Sequence, residues 1–135
     1  MTPEKQLRVA LAHVLNDNRL GVYKDSGVYQ TDEAAIFTTG YTPVFDEFTS
    51  LISPPTTRDG RADALFRVQF FTQRKGNADT VEQWAHELSK VLDHKEYFPN
   101  ILGISWTEEY SRLYFDADTQ GRVSVTVNYS FRGRA

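Results

Sequence analysis

The sequence predicts an α+β domain: a mainly antiparallel β-sheet with two helices packed on one face, in the order α-β-β-β-α-β-β. Three observations carry this. Residues 122–132 alternate without a fault, with Val123, Val125, Val127, Tyr129 and Phe131 on one side and Ser124, Thr126, Asn128 and Ser130 on the other. That is the period of a strand buried on one face. Residues 79–92 place Val81, Trp84, Ala85, Leu88, Val91 and Leu92 on one helical face, a one-sided stripe that must lie on something else. The remaining segments are strands joined by turns, and two helices are too few to cover both faces of a parallel sheet.

In chain order, Thr2 can cap the first helix, Pro3 suits its first turn and Glu4 sits at the positive end of its dipole. Leu7, Leu11, Val14 and Leu15 form its apolar stripe, and it is expected to end between Asn16 and Asn18, ahead of Gly21. Strands are expected at residues 34–38, 44–52 and 65–74, the last with Phe66, Val68 and Phe70 facing one way and Arg67, Gln69 and Gln73 the other. Residues 53–61 (SPPTTRDGR) read as a loop, marked by two prolines and Asp59-Gly60. Gly76-Asn77 breaks the chain before the second helix, which Asp79 is expected to cap. Glu82, His86 and Lys90 form that helix's solvated row. Residues 101–115 and 122–132 then make a closing hairpin around a turn at 116–121.

At 135 residues the chain fits one domain spanning 1–135. Surface scaling gives a folded monomer near ~7,200 Å², about two-thirds of the unfolded surface being buried. The charge of −3 demotes a dedicated nucleic-acid binder, whose affinity comes largely from basic contacts to phosphate. With no cysteine, disulfides, thiol catalysis and cysteine-ligated metals are excluded. The longest uncharged run, 34–45, holds Gly40 and Pro43 and is too short for a membrane span. Arg8 and His13 interrupt the candidate signal segment. The chain reads as soluble and intracellular.

Motifs for chemistry are few. His13, His86 and His94 lack the one-turn spacing and intervening glutamate of a zinc-protease pair and read as surface residues. Asp116, Asp118 and Gln120 before Gly121 mimic the start of a calcium loop, but Val127 stands where such a loop needs its bidentate glutamate. Glu108 and Glu109 are adjacent on a strand and so point to opposite faces. Nothing matches a phosphate-cradling glycine loop or a nucleophile elbow. No catalytic residue, cofactor or metal is predicted.

Signs of an interface are stronger. Ser124, Thr126 and Asn128 are small and uncharged where a solvated strand face often carries Lys or Glu, so another surface can approach without burying charge. Residues 119–135 hold Arg122, Arg132 and Arg134 and no acid, giving an acidic particle with one basic end, suited to head-to-tail contact. Phe71 shares a strand face with Leu65, Arg67, Gln69 and Gln73, while Tyr41, Phe45 and Phe48 cluster near loops. Nine Phe, seven Tyr and two Trp are a heavy load for a domain of this size.

The opening Leu20-Gly21-Val22-Tyr23 and Gly27-Val28-Tyr29 resemble the start of tailed-phage minor capsid proteins of the tail terminator type. The segment from Phe66 to Gly76 (FRVQFFTQRKG) resembles that family's central strand and its turn into the second helix, and the helix and closing hairpin continue the likeness over nearly the whole chain. The stretch between Phe45 and Arg61 is longer than the family pattern. The resemblance implies a non-enzymatic virion protein. It would form a homo-hexameric ring that caps the tail tube, ends its polymerisation and offers a surface to the head-side connector. Its partners would be further copies of itself, the tail tube protein and a head–tail connector or neck protein, with genomic DNA passing through the lumen without specific binding. No membrane is involved, and assembly would take place in the host cytoplasm.

On this reading Pro54, Pro55, Arg58, Asp59 and Arg61, with the turn carrying Asp116, Asp118 and Arg122, make contacts along the ring axis. Ser124, Thr126, Asn128, Arg132 and Arg134, with Arg67 and Phe71, face neighbouring subunits. Two alternatives stay open. One is another neck protein, a stopper or completion protein. The other is a nuclear-transport-factor-like cone with cyclase or isomerase activity, its cavity lined by Trp84, Trp106 and Tyr110, with His86 or Asp46 as base. That fold carries more helix before its sheet than this chain does.

Overall fold

The computed structural model describes residues 1–39, 45–59 and 63–134. Among them are two helices, α1 (Pro3–Asp17) and α2 (Ala78–Leu92), and seven strands. The strands are β1 (Ala35–Phe37), β2 (Phe48–Ile52), β3 (Thr57–Asp59), β4 (Asp63–Lys75), β5 (Lys95–Glu96), β6 (Trp106–Phe115) and β7 (Arg122–Arg134). They form one sheet in the order β1-β2-β4-β7-β6-β5, with β3 pairing β4 beside β2. Pairing is antiparallel throughout except between β1 and β2. The α+β architecture read from the sequence is the one observed. The accessible surface of 7587 Å² is close to the value expected from chain length.

The spine of the sheet is the β4–β7 ladder, thirteen residues on each strand, registered from Asp63↔Arg134 to Lys75↔Arg122. Strict alternation on both strands turns one set of side chains inward. Phe66, Val68 and Phe70 meet Val123, Val125, Val127, Tyr129 and Phe131, all nearly inaccessible. Both helices lie on that side: Leu7, Leu11 and Leu15 of α1 and Val81, Trp84, Ala85, Leu88 and Leu92 of α2 join the same buried cluster. Each helix is therefore held by its apolar stripe rather than by propensity alone.

Five details differ from the sequence reading. Helix α2 is capped by Asn77, not Asp79. The Asn77 Oδ1 accepts from the Asp79 backbone N–H (3.0 Å), and Thr80 Oγ1 accepts from the Asn77 N–H (3.3 Å), a reciprocal box that starts the helix two residues earlier. The segment expected as a loop over 53–61 contains β3, because β4 runs back to Asp63 and offers an edge to which Thr57 and Arg58 pair. Strand β2 starts at Phe48, since Asp46 and Glu47 turn toward Lys75: Asp46 Oδ2 lies 3.2 Å from its Nζ, and Glu47 Oε2 accepts from its backbone N–H. Residues 101–105 are not strand, because Leu102 (φ 55°) and Gly103 (φ 63°) are left-handed and break extension. The two-residue β5 is too short to leave a pattern in the sequence. Tyr41, Arg61 and the start of the strand expected from residue 44 lie outside the described residues.

No helix among the described residues is long and apolar enough to cross a membrane.

Candidate interaction surface

With both helices on one side, the opposite face of the sheet has no helix over it among the described residues. The register places Leu65, Arg67, Gln69, Phe71 and Gln73 of β4 there, opposite Arg132, Ser130, Asn128, Thr126 and Ser124 of β7. Ring contacts cross this face from strand to strand. Phe37 meets Phe48 (6.5 Å between centroids), Phe48 meets Phe71 (5.7 Å) and Phe71 meets Phe115 (6.3 Å). Tyr29 and Phe45, from the segments flanking β1, close the row at one end. Tyr29 is pinned there by donating its hydroxyl proton to Ile36 O (2.8 Å) and accepting from Lys24 N–H (3.0 Å), and burial pushes its phenol pKa up. A groove of about 800 Å³ runs beside the row, bordered by Arg8, Ser50, Ile52, Gln69, Phe71 and Gln73. Arg8 shapes its rim by donating to Thr38 O (2.8 Å) and Ser53 Oγ (2.7 Å).

The predicted contact residues divide into three groups. Arg67, Phe71, Ser124, Thr126, Asn128 and Arg132 share the outer face, with Asn128 Nδ2 donating to Ser111 Oγ (2.9 Å) across to β6. Pro54, Pro55 and Arg58 gather at one end, where Pro55 O accepts from Arg67 Nη1 (3.4 Å). Arg134 ends β7 beside Asp63 at that same end. Asp59 belongs to β3, and Arg61 lies outside the described residues. Asp116, Asp118 and Arg122 gather at the other end. There Asp118 accepts from the N–H groups of Gln120 and Arg122 and from Arg122 Nε (2.7 Å), bonds that hold its carboxyl below the usual range. Arg122 also lies 3.7 Å from Asp46. Ten residues of ladder separate Leu65↔Arg132 from Lys75↔Arg122, so the two end groups stand roughly 33 Å apart.

Sequence reasoning missed the apolar end of β6. Tyr110, Leu113, Tyr114 and Phe115 are 49%, 58%, 41% and 45% exposed. The signal was present: apolar residues at three consecutive positions, 113–115, break the alternation of a strand with one covered face.

The residues proposed for a catalytic cone are not gathered. Trp84 is buried against α1's end, its Nε1 donating to Leu20 O (2.8 Å). Trp106 packs edge-on to His94 (5.7 Å) at the other side of the sheet, and Tyr110 is half exposed. His86 is exposed on α2, and Asp46 pairs with Lys75. Glu109, turned away from Glu108, is held by Arg112 Nη2 and Nε (2.6 and 2.9 Å) and accepts from the Tyr129 hydroxyl (3.3 Å). Among the described residues no cluster of three His, Asp or Glu is placed to hold a metal ion.

Compared with solved structures, the chain is similar to a chain of the virion of a native gene transfer agent particle, with a TM-score of 0.59 at 10% sequence identity over 76% of this chain and 79% of that one. The likeness is one of fold. No protein-family model matches the chain, and no curated protein sequence matches it.

Proposed function

We propose that this chain is a structural protein of a phage-like virion, working without catalysis, and that it is a tail terminator. Six copies form a ring that caps the tail tube, stops its polymerisation and presents the opposite surface to the head-side connector. The observation that carries this reading is the shared fold with a chain of a gene transfer agent virion over three-quarters of both molecules. Two features of the surface support it. The outer face offers apolar area at Phe115, 45% exposed, and in part at Phe71, and two groups of the predicted contact residues lie at opposite ends of the β4–β7 ladder, as contacts with different partners along one axis would require. Six copies at −3 give a ring of about −18, which lets DNA pass without adhering.

The test is electron microscopy of particles assembled without this chain, alongside native mass spectrometry of the purified protein. Run-on tails and a six-copy species are expected. Tails of normal length that fail to join heads would move the protein to a stopper or completion role, and tails of normal length already joined to heads would remove it from the neck. Deleting the segment 54–60 is not a clean probe, because it removes β3 from the sheet. Arg58→Glu, on an exposed side chain whose charge interaction with Glu4 is a minor one, is expected to leave the fold in place.

A further inference from the structure

Beyond its two-residue pairing with β5, the outer edge of β6 has no strand neighbour among the described residues. Asp93 Oδ1 caps the Glu109 N–H (2.9 Å), and after a register shift between Glu109 and Ser111 the strand runs regularly to Phe115 along β7. A free edge of this kind is a row of N–H and C=O groups that templates pairing, and soluble monomers blunt it with charge, proline or cover. A bulge at Tyr110 disturbs the start of this edge, but from Ser111 to Phe115 it has no proline, no cover among the described residues and no free charge. Its one charge, Arg112, is tied to Glu109 and to the Tyr114 hydroxyl (3.0 Å), and Tyr110, Leu113, Tyr114 and Phe115 are the exposed apolar residues.

On the other side of the sheet, β3 has β4 as its one strand neighbour among the described residues. It presents Arg58, exposed and without an ion pair among those residues. The free stretch of β6 is bounded by Glu108 and Asp116, both exposed and equally without an ion pair.

We propose that residues 110–115 pair edge to edge with β3 of a second copy of this chain, so that the sheet continues from subunit to subunit around the ring. This rests on the ring reading above and names its contact. Two different edges meeting make a heterologous interface, which repeats until it closes, whereas two β6 edges would stop at a dimer. The charges agree, basic Arg58 facing an edge bounded by acids. The exposed parts of the four apolar side chains amount to roughly 300–450 Å², about half of the ~800 Å² a standard interface takes from each partner. Backbone pairing and the adjoining outer face supply the remainder.

The experiment is sedimentation and native mass spectrometry over a concentration series of the full chain. It compares wild type with Leu113→Lys/Phe115→Lys, with Arg58→Glu, and with a control, Val28→Lys, at a site 72% exposed in the connection between α1 and β1, outside both proposed strands. Assembly beyond a dimer is expected for wild type and control. Association at least about tenfold weaker is expected for the double variant and for Arg58→Glu, with thermal melting unchanged. Amide exchange over 110–115 is expected to slow on assembly. If the double variant melts early, Tyr114→Lys replaces it. Assembly of the variants at wild-type strength overturns the pairing, as does a wild type that stays monomeric or stops at a dimer. Tail length tests capping separately: run-on tails in particles lacking the chain, together with full-strength rings from the variants, would sink the edge pairing and keep the capping role.

Discussion

Replacing Arg74 by methionine is expected to destabilise the fold by about 3 kcal/mol. Arg74 points to the helix side near the end of β4 and is 8% exposed. Its Nη1 donates to Phe48 O (3.0 Å) and Gln73 O (2.9 Å), its Nη2 donates to Leu20 O (3.0 Å), and the guanidinium lies 5.9 Å over the Trp84 ring. One side chain thus joins β2, β4, α2 and the turn after α1. No carboxylate among the described residues pairs with it. Burial pushes its pKa down to about 10, with only the field of Glu47 opposing. That displacement from 12.5 corresponds to roughly 3 kcal/mol against holding the charge. Three bonds from a charged donor, at about 1.5–3 kcal/mol each, outweigh it and leave about 1.5–6 kcal/mol in favour of arginine. Methionine keeps much of the stem packing but removes the charged donor from Phe48 O and Gln73 O, while Leu20 O keeps the Trp84 indole. The assay is urea unfolding at neutral pH, read as a lower midpoint at unchanged slope, with Tm falling by about 10 °C. Arg74→Lys retains the buried charge but lacks the planar fork that reaches three carbonyls, so it is expected to be no more stable than the methionine variant. A methionine variant within about 0.5 kcal/mol of wild type, or a lysine variant that matches wild type, would refute this account.

Three further outcomes are expected. Asn77→Ala should lower the unfolding free energy by about 1 kcal/mol, and Asp79→Ala by a few tenths at most; equal losses in denaturant titration would return the cap to Asp79. Burial, then the charges of Glu109 and Asp93, raise the Tyr129 phenol above its ordinary 10.0, so above pH 10 the unfolded chain loses that proton first and stability falls as pH rises. Arg74 works in the opposite sense between about 10 and 12.5, so Tyr129→Phe should flatten or reverse the alkaline decline in the urea midpoint, and an unchanged slope would contradict the assignment. Gly133→Ala would set its Cβ 2.9 Å from Leu102 O and 3.1 Å from Ile104 Cγ1, and a loss of about 1–3 kcal/mol is expected in the same titration.

The parts legible in the sequence were those written in long periods. The alternation over 122–132 and the stripe from Val81 to Leu92 each repeat often enough to settle both the element and its buried face, and Phe66, Val68 and Phe70 lie where their parity put them. The small polar face of β7 and Phe71 were legible as surface on the same grounds. Short-range competition hid the rest. Thr57 and Arg58 are strand only because β4 extends far enough to pair them, a fact stored in Asp63 and Ala64 rather than in their own neighbours. Left-handed Leu102 has no signature in residue type. The apolar run 113–115 did break the alternation, but Tyr110 suited a strand of any burial, and the lack of a strand neighbour beside residues 110–115 among the described residues is a fact of topology that no local pattern encodes.

The last described strand in the chain is also central in the sheet, β7 lying between β4 and β6. During synthesis β4 emerges long before its partner, and Asp63 must wait for Arg134. Until then the inner faces of β4, α1 and α2 have no completed floor, and the strands already made are exposed as open edges, a slow and aggregation-prone interval. A chain cut short before residue 122 would leave β4 and β6 with no common neighbour. A chain lacking β7 therefore cannot hold this fold, and the sheet's wiring itself separates incomplete chains from those that carry the central strand.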